Sequence, residues 1–271
     1  MFKILLFFTF FSNFNAYTWL LPAWKTTHYP SRKLIKKISD VYYNKYEPYN
    51  ITSSKQCIFF PGGNTCVPSE IYTNFLTKLS EQNLIVNIAN PKLLDNHIYL
   101  KTITNNEPTT LVAHSSGTTS ALKMCKYMDN VDKIILLDPV DSRILSSNEN
   151  VGDIYNFDHQ NIESVFLINA EKSYKWHFFP FPRVPFIPFW GLTKDSFDIN
   201  NKKLIKLPDY GHCDILDYTW GEVMHNSLSE GLENRNEISI DNYHEWLARV
   251  ISNYINNSTI INDNTIKFNY G

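Results

Sequence analysis

The sequence predicts an α/β fold: a mostly parallel central sheet with helices on both faces. Three observations carry this. Short, near-continuous apolar runs recur along the chain, which is how a strand buried on both faces reads. Segments with helical spacing lie between them, as the crossovers of a parallel sheet require. Gly62 and Gly63, Ser115, and Asp138 each fall just past the end of such a run. Functional groups of open parallel sheets gather at the carboxyl ends of the strands.

Taken in order, the chain opens with Lys3, an apolar run over 4–11, then polar residues up to Ala16. This is the pattern of a secretory signal peptide over 1–16, and the run is too short to span a bilayer. It points to secretion or to an endomembrane or organelle lumen. Residues 17–271 are then read as one domain. Residues 17–56, rich in Tyr, Lys and Pro, read as an initial strand or helix with loops. The run 57–60 (Cys-Ile-Phe-Phe) is a strand stopped by Pro61-Gly62-Gly63. Ser69 is placed to cap a helix that carries Ile71, Phe75, Leu76 and Leu79 at helical spacing. Further strands are expected at 84–89, 109–113, 134–137, 164–169 and 204–207. A closing helix over 241–254 puts Trp246, Leu247, Val250 and Ile251 on one face.

The richest stretch is Leu111-Val112-Ala113-His114-Ser115-Ser116-Gly117. A strand runs into a sharp turn centred on Ser115, and a helical pattern (118–124) leaves it. In that context the small-x-Ser-x-Gly motif is a nucleophile elbow, which lifts the serine hydroxyl above the sheet edge. The residues two before and two after must be small, and Ala113 and Gly117 are. His114, the variable residue of the motif, is expected to point away from the chemistry.

A serine hydroxyl needs a base. His212 follows the last expected strand in Gly211-His212-Cys213-Asp214-Ile215-Leu216-Asp217. The other histidines lie in helical or less structured contexts. The acid that orients the base is Asp138, at the end of the strand after the elbow, with Glu171 as the alternative one strand later and Asp141 third. Asp214 and Asp217, close to His212 in sequence, are more simply explained by a helix cap or a salt bridge. An oxyanion hole needs two N–H donors. Ser116, next after the nucleophile, supplies one. Gly63 is the choice for the other, with Asn64 behind it.

Composition limits the remaining possibilities. Hydrophobic residues make up 43% of the 271, enough for a sizeable core. A net charge of −2 gives no basic excess for nucleic acid. The four cysteines match no zinc spacing, and Cys57 and Cys66 are the candidate disulfide. The sequons at Asn50, Asn256 and Asn257 fit a secreted chain. The chemistry sketched here needs neither metal nor cofactor.

Three blocks carry a family resemblance: Ala113-His114-Ser115-Ser116-Gly117, Leu137-Asp138-Pro139-Val140-Asp141, and Tyr210-Gly211-His212-Cys213-Asp214-Ile215-Leu216-Asp217. They resemble the serine, acid and histidine blocks of chlorophyllases. More broadly they are similar to the platelet-activating-factor acetylhydrolase and polyester-hydrolase branch of the α/β-hydrolase superfamily of serine esterases and lipases. The resemblance implies the α/β-hydrolase fold, supports Asp138 over Glu171, and implies hydrolysis of a hydrophobic ester. Ala113 stands where glycine is usual, and Pro61 where a histidine often precedes the oxyanion glycine. Residues 176–190 are dense in aromatics and prolines, which bars a long helix. This loop is expected to overhang the site, as an apolar cleft, a membrane or lipid contact, or a segment packed on the core. Two other readings stand beside the esterase: a hydrolase fold that only binds, and a thioesterase, acyltransferase or peptidase using the same residues.

Overall fold

The computed structural model describes residues 31–50, 55–94, 97–141, 162–174, 196, 201–228 and 231–257, all within one compact unit. Among the described residues a hairpin comes first: β1 (Ser31–Ile38) and β2 (Val41–Pro48) pair antiparallel. Six more strands follow among the described residues: β3 (Gln56–Phe60), β4 (Ile85–Ile88), β5 (Thr109–His114), β6 (Val131–Leu137), β7 (Ser164–Ala170) and β8 (Lys202–Leu207). The sheet order is β1-β2-β4-β3-β5-β6-β7-β8. β2 runs antiparallel to both its neighbours, and β3 through β8 are parallel to one another.

Every residue of β3, β5 and β7 is buried. Alternate side chains of one apolar run feed two different cores, because successive side chains leave opposite faces of a strand. Cys57, Phe59, Val112, Ile135, Leu137, Phe166 and Ile168 enter one core. Ile58, Phe60, Leu111, Ala113, Ile134, Leu136, Val165 and Leu167 enter the other. Both edge strands are lysine-rich (Lys33, Lys36 and Lys37; Lys202, Lys203 and Lys206), which discourages pairing with another chain.

Among the described residues, six helices cover these faces: α1 (Thr73–Glu81), α2 (Pro91–Leu94), α3 (His97–Ile103), α4 (Gly117–Cys125), α5 (Tyr218–Leu228) and α6 (Glu237–Asn257). Phe75, Leu76 and Leu79 of α1 meet Leu247, Ala248, Ile251 and Tyr254 of α6 over the first core. Trp246 and Val250 pack at its margin. Ala121, Leu122, Met124 and Cys125 of α4 cover the second. Each fully buried Leu or Phe contributes roughly 1.5–3 kcal/mol.

Two expectations are corrected. Ser69 does not cap α1. It opens a 3₁₀ turn, Ser69–Tyr72, and α1 starts four residues later with no side-chain cap of its own. Asp217 takes the role from afar: its Oδ1 accepts the Asn74 N–H at 2.9 Å. Cys57 and Cys66 do not pair. Cys57 is buried in the core and Cys66 stands exposed on the turn. The signal segment and the aromatic loop 176–190 lie outside the described residues. Among the described residues, no helix is long and apolar enough to cross a membrane.

Candidate active site

β5 delivers the chain into Ser115, whose φ is 55°. That left-handed backbone is uncommon for a residue with a Cβ and is kept only where surroundings over-determine it. Here three bonds do so. The Ser115 N–H donates to Leu137 O at 3.0 Å, and its own carbonyl accepts from Val140 N–H and Thr118 N–H, both at 3.1 Å. The start of α4 then runs against the end of β3. A Cβ on Gly117 would stand 2.3 Å from Pro61 O and 2.4 Å from Phe60 O, so only glycine fits.

The sheet brings two further predicted residues to this serine. His212 Nε2 lies 2.9 Å from Ser115 Oγ, across 97 residues of sequence. His212 Nδ1 lies 3.3 Å from Asp138 Oδ2. A carboxylate only accepts, so Nδ1 carries the proton and Nε2 is free to accept from the Ser115 hydroxyl. Asp138 bends sharply out of β6 with φ 44°. Its N–H donates to Ile168 O at 2.9 Å. Its Oδ1 accepts Ala170 N–H and its Oδ2 the Ser173 hydroxyl, each at 2.6 Å. Of Asp138, Glu171 and Asp141, the carboxyl bonded to His212 is that of Asp138. Glu171 is half-exposed in the 3₁₀ turn Glu171–Tyr174 and faces Lys206 Nζ at 3.7 Å.

The loop that holds His212 is pinned from below by a buried ion pair. Asp214 has no solvent exposure. Its carboxyl accepts Gly211 N–H and Leu232 N–H at 2.8 Å each, and Arg235 Nε at 3.1 Å. Arg235 also donates to Tyr218 O at 2.6 Å. Burial pushes the Asp214 carboxyl up, while the backbone donors and Arg235 pull it back. Of the two structural roles expected for this pair, Asp214 takes the salt bridge and Asp217 the helix cap.

The turn after β3 lies beside the elbow. Bonds of 3.1 Å (Thr65 N–H to Pro61 O), 3.0 Å (Cys66 N–H to Gly63 O) and 3.2 Å (Val67 N–H to Gly62 O) close it. Gly63 adopts φ +62°, and a Cβ there would meet Val67 Cγ2 at 2.9 Å. The Gly62 N–H is committed to Tyr72 Oη at 3.1 Å and the Asn64 N–H to Ser116 Oγ at 3.2 Å. The N–H groups of Gly63 and Ser116 have no partner among the described residues. The turn therefore offers Gly63 rather than Asn64 as a free donor.

Three residues went unremarked or misread in the sequence. Ser173 braces Asp138. His114 stands directly behind His212, and Tyr72 behind His114. His114 does not point away from the chemistry: its ring lies 4.7 Å from that of His212, and its Nε2 is 3.1 Å from His212 O. Burial, reinforced by neighbouring His212, holds His114 well below the usual imidazole range. Histidine in the second position of the motif was the one visible signal. Nothing in the local pattern marked Ser173 or Tyr72. Among the described residues, no group of three or more His, Cys, Asp or Glu side chains is placed to hold a metal ion.

No family model matches this chain, and no curated protein matches it in sequence. Solved structures do match in fold. An esterase domain of a Rhodothermus marinus protein is similar over 83% of this chain and 99% of its own, with a TM-score of 0.52 at 9% identity. A hormone-sensitive lipase from a metagenome library is similar over 89% and 91%, with a TM-score of 0.52 at 11% identity. An arylesterase is similar over 93% and 96%, with a TM-score of 0.51 at 10% identity. At such identities the likeness establishes the fold alone, and that fold is the α/β-hydrolase fold.

Proposed function

We propose that this protein is a serine carboxylic-ester hydrolase that acts on a hydrophobic ester through an acyl-enzyme. The observation that carries the reading is the continuous line from Ser115 Oγ to His212 Nε2 at 2.9 Å and from His212 Nδ1 to Asp138 at 3.3 Å, with Ser115 held in a left-handed turn. Ser115 attacks the ester carbonyl carbon as His212 Nε2 takes its proton. The carbonyl oxygen becomes an oxyanion facing the N–H groups of Ser116 and Gly63. Collapse of this intermediate breaks the bond to the alcohol, which leaves with the proton from His212. Water, deprotonated by His212 in turn, attacks the acyl-Ser115 and releases the acid. Asp138 keeps the proton on Nδ1 and stabilises the imidazolium at both stages. The reaction needs no cofactor.

The resemblance of the three sequence blocks to chlorophyllases supports an apolar substrate and favours an ester with a bulky apolar alcohol, lipid-like or phytyl-like.

A fluorophosphonate probe is expected to label the protein, and Ser115→Ala to abolish labelling and lower ester turnover by at least about 10⁴-fold. Labelling that survives in Ser115→Ala sinks the assignment. A well-folded wild type that never labels favours a hydrolase fold that only binds. A panel of esters graded in acyl and alcohol size, with chlorophyll and matched thioesters included, then ranks the substrate classes.

A further inference from the structure

Behind the reacting atoms, a file of hydrogen bonds crosses from the turn after β3 to the loop that carries His212. Gly62 N lies 3.1 Å from Tyr72 Oη, Tyr72 Oη 2.9 Å from His114 Nδ1, and His114 Nε2 3.1 Å from the main-chain oxygen of His212. The chemistry of the partners sets every direction. A carbonyl oxygen only accepts, so His114 carries its proton on Nε2. Its Nδ1 is then an acceptor, and the Tyr72 hydroxyl donates to it. The oxygen of that hydroxyl accepts the Gly62 N–H. Tyr72 is 1% exposed and His114 4%, so water does not compete for these bonds. Burial keeps the Tyr72 hydroxyl protonated and His114 neutral. A protonated His114 would lose its acceptor nitrogen. It would also set a positive charge against the ring of His212, which must itself become positive when Ser115 attacks.

The two ends of the file are what set it apart from an ordinary buried polar cluster. One end is Gly62, immediately before the free N–H of Gly63. The other is the backbone of His212 itself. The parts also lie close together: a Cβ on Gly62 would be 3.2 Å from Tyr72 Oη and 3.4 Å from Ser115 Cβ. An oxyanion donor works only within a few tenths of an ångström of its place, and an error of about 1 Å costs roughly 100-fold in rate.

We propose that His114 and Tyr72 are positioning residues: the file they form ties the oxyanion turn to the main chain of the general base, fixing Gly63 N–H and His212 Nε2 relative to Ser115. This rests on Ser115 and His212 acting as nucleophile and base, and the experiment separates the two claims.

Tyr72→Phe keeps the ring, which packs edge-on to Phe59 at 5.1 Å, and removes only the oxygen. It is expected to lower kcat on a soluble aryl ester about tenfold with KM within about twofold, since two buried polar groups lose their partner. His114→Phe, which cuts the file at both bonds, is expected to lower kcat about 100-fold. His114→Gln keeps an N–H for the His212 carbonyl and is expected to regain most of that loss. Thermal unfolding of each variant restricts the comparison to folded protein. A Tyr72→Phe enzyme with wild-type kcat, a change confined to KM, or a His114→Gln no better than His114→Phe overturns the proposal. If Ser115→Ala still labels with fluorophosphonate, the hydrolase reading has failed and the positioning role falls with it. If Ser115→Ala is dead and Tyr72→Phe keeps the wild-type kcat, the positioning role alone has failed.

Discussion

At Gly117 a hydrogen atom is all that separates the start of α4 from the carbonyl oxygens of Phe60 and Pro61, where a Cβ would come within 2.4 Å of both. Those atoms are backbone and cannot rotate aside. Gly117→Ala must therefore push α4 away from β3, and the elbow goes with it. Overpacking of this kind costs about 1–3 kcal/mol. The expected outcome is a lowered melting temperature together with a fall in kcat larger than the loss of folded protein explains. An unchanged kcat in the folded fraction would show that the elbow tolerates the shift. Ser115 and Asp138 are the complementary case. Both hold positive φ with side chains attached. Each is fixed by bonds to neighbouring strands, so the strain is borne by the sheet rather than by the local sequence.

At the scale of elements, His212 sits in no helix or strand. Its position comes from what lies beneath the loop. Asp214 receives two backbone N–H groups and the Arg235 guanidinium, and Arg235 reaches the carbonyl of Tyr218 at the start of α5. Removing one partner of a buried pair strands the other's charge, at about 3–5 kcal/mol. Arg235→Met is expected to destabilise the protein by that order and to loosen the His212 loop. The double variant Asp214→Asn/Arg235→Met should recover part of the loss, because the stranded charge is gone. Chemical denaturation of the two singles and the double closes the cycle. Additive effects would mean that the pair does not act as a unit.

For the molecule as a whole, buried histidines set the sensitivity to acid. His244 is fully buried on α6 with Nε2 3.1 Å from Asp214 O, and burial pushes it down to about 4. Its folded value lies below the ordinary 6.5, so its contribution is present above pH 6.5 and lost as pH falls towards 4. The span corresponds to about 3 kcal/mol. His114 acts with the same sign. Asp217 opposes them: burial raises it to about 6, so its contribution is present below its usual 3.8 and lost as pH rises through about 6. The measurable quantity is the difference between wild type and His244→Gln. The variant's denaturation midpoint should fall less steeply between pH 6.5 and 4. Equal slopes would show that His244 does not titrate against folding.

The sequence by itself determined the strands of the parallel sheet, because a segment buried on both faces must be apolar throughout and that is visible in one dimension. It also determined the elbow, whose small neighbours at fixed spacing follow from local sterics, and the order of serine, acid and histidine along the chain. Tertiary structure decided the rest. His212 meets residues 97 and 74 positions away, and only the alignment of parallel strand ends brings those side chains together. The choice among Asp138, Glu171 and Asp141 depended on which carboxyl the loop geometry turned towards His212. Ser173, Tyr72 and Arg235 joined the site, and His114 turned into it, through single hydrogen bonds across elements. Such bonds leave no periodic trace in a sequence. The hairpin β1–β2 shows in the sequence only as a mixed opening segment, because a largely solvated edge hairpin lacks the continuous apolar run that betrays a central strand.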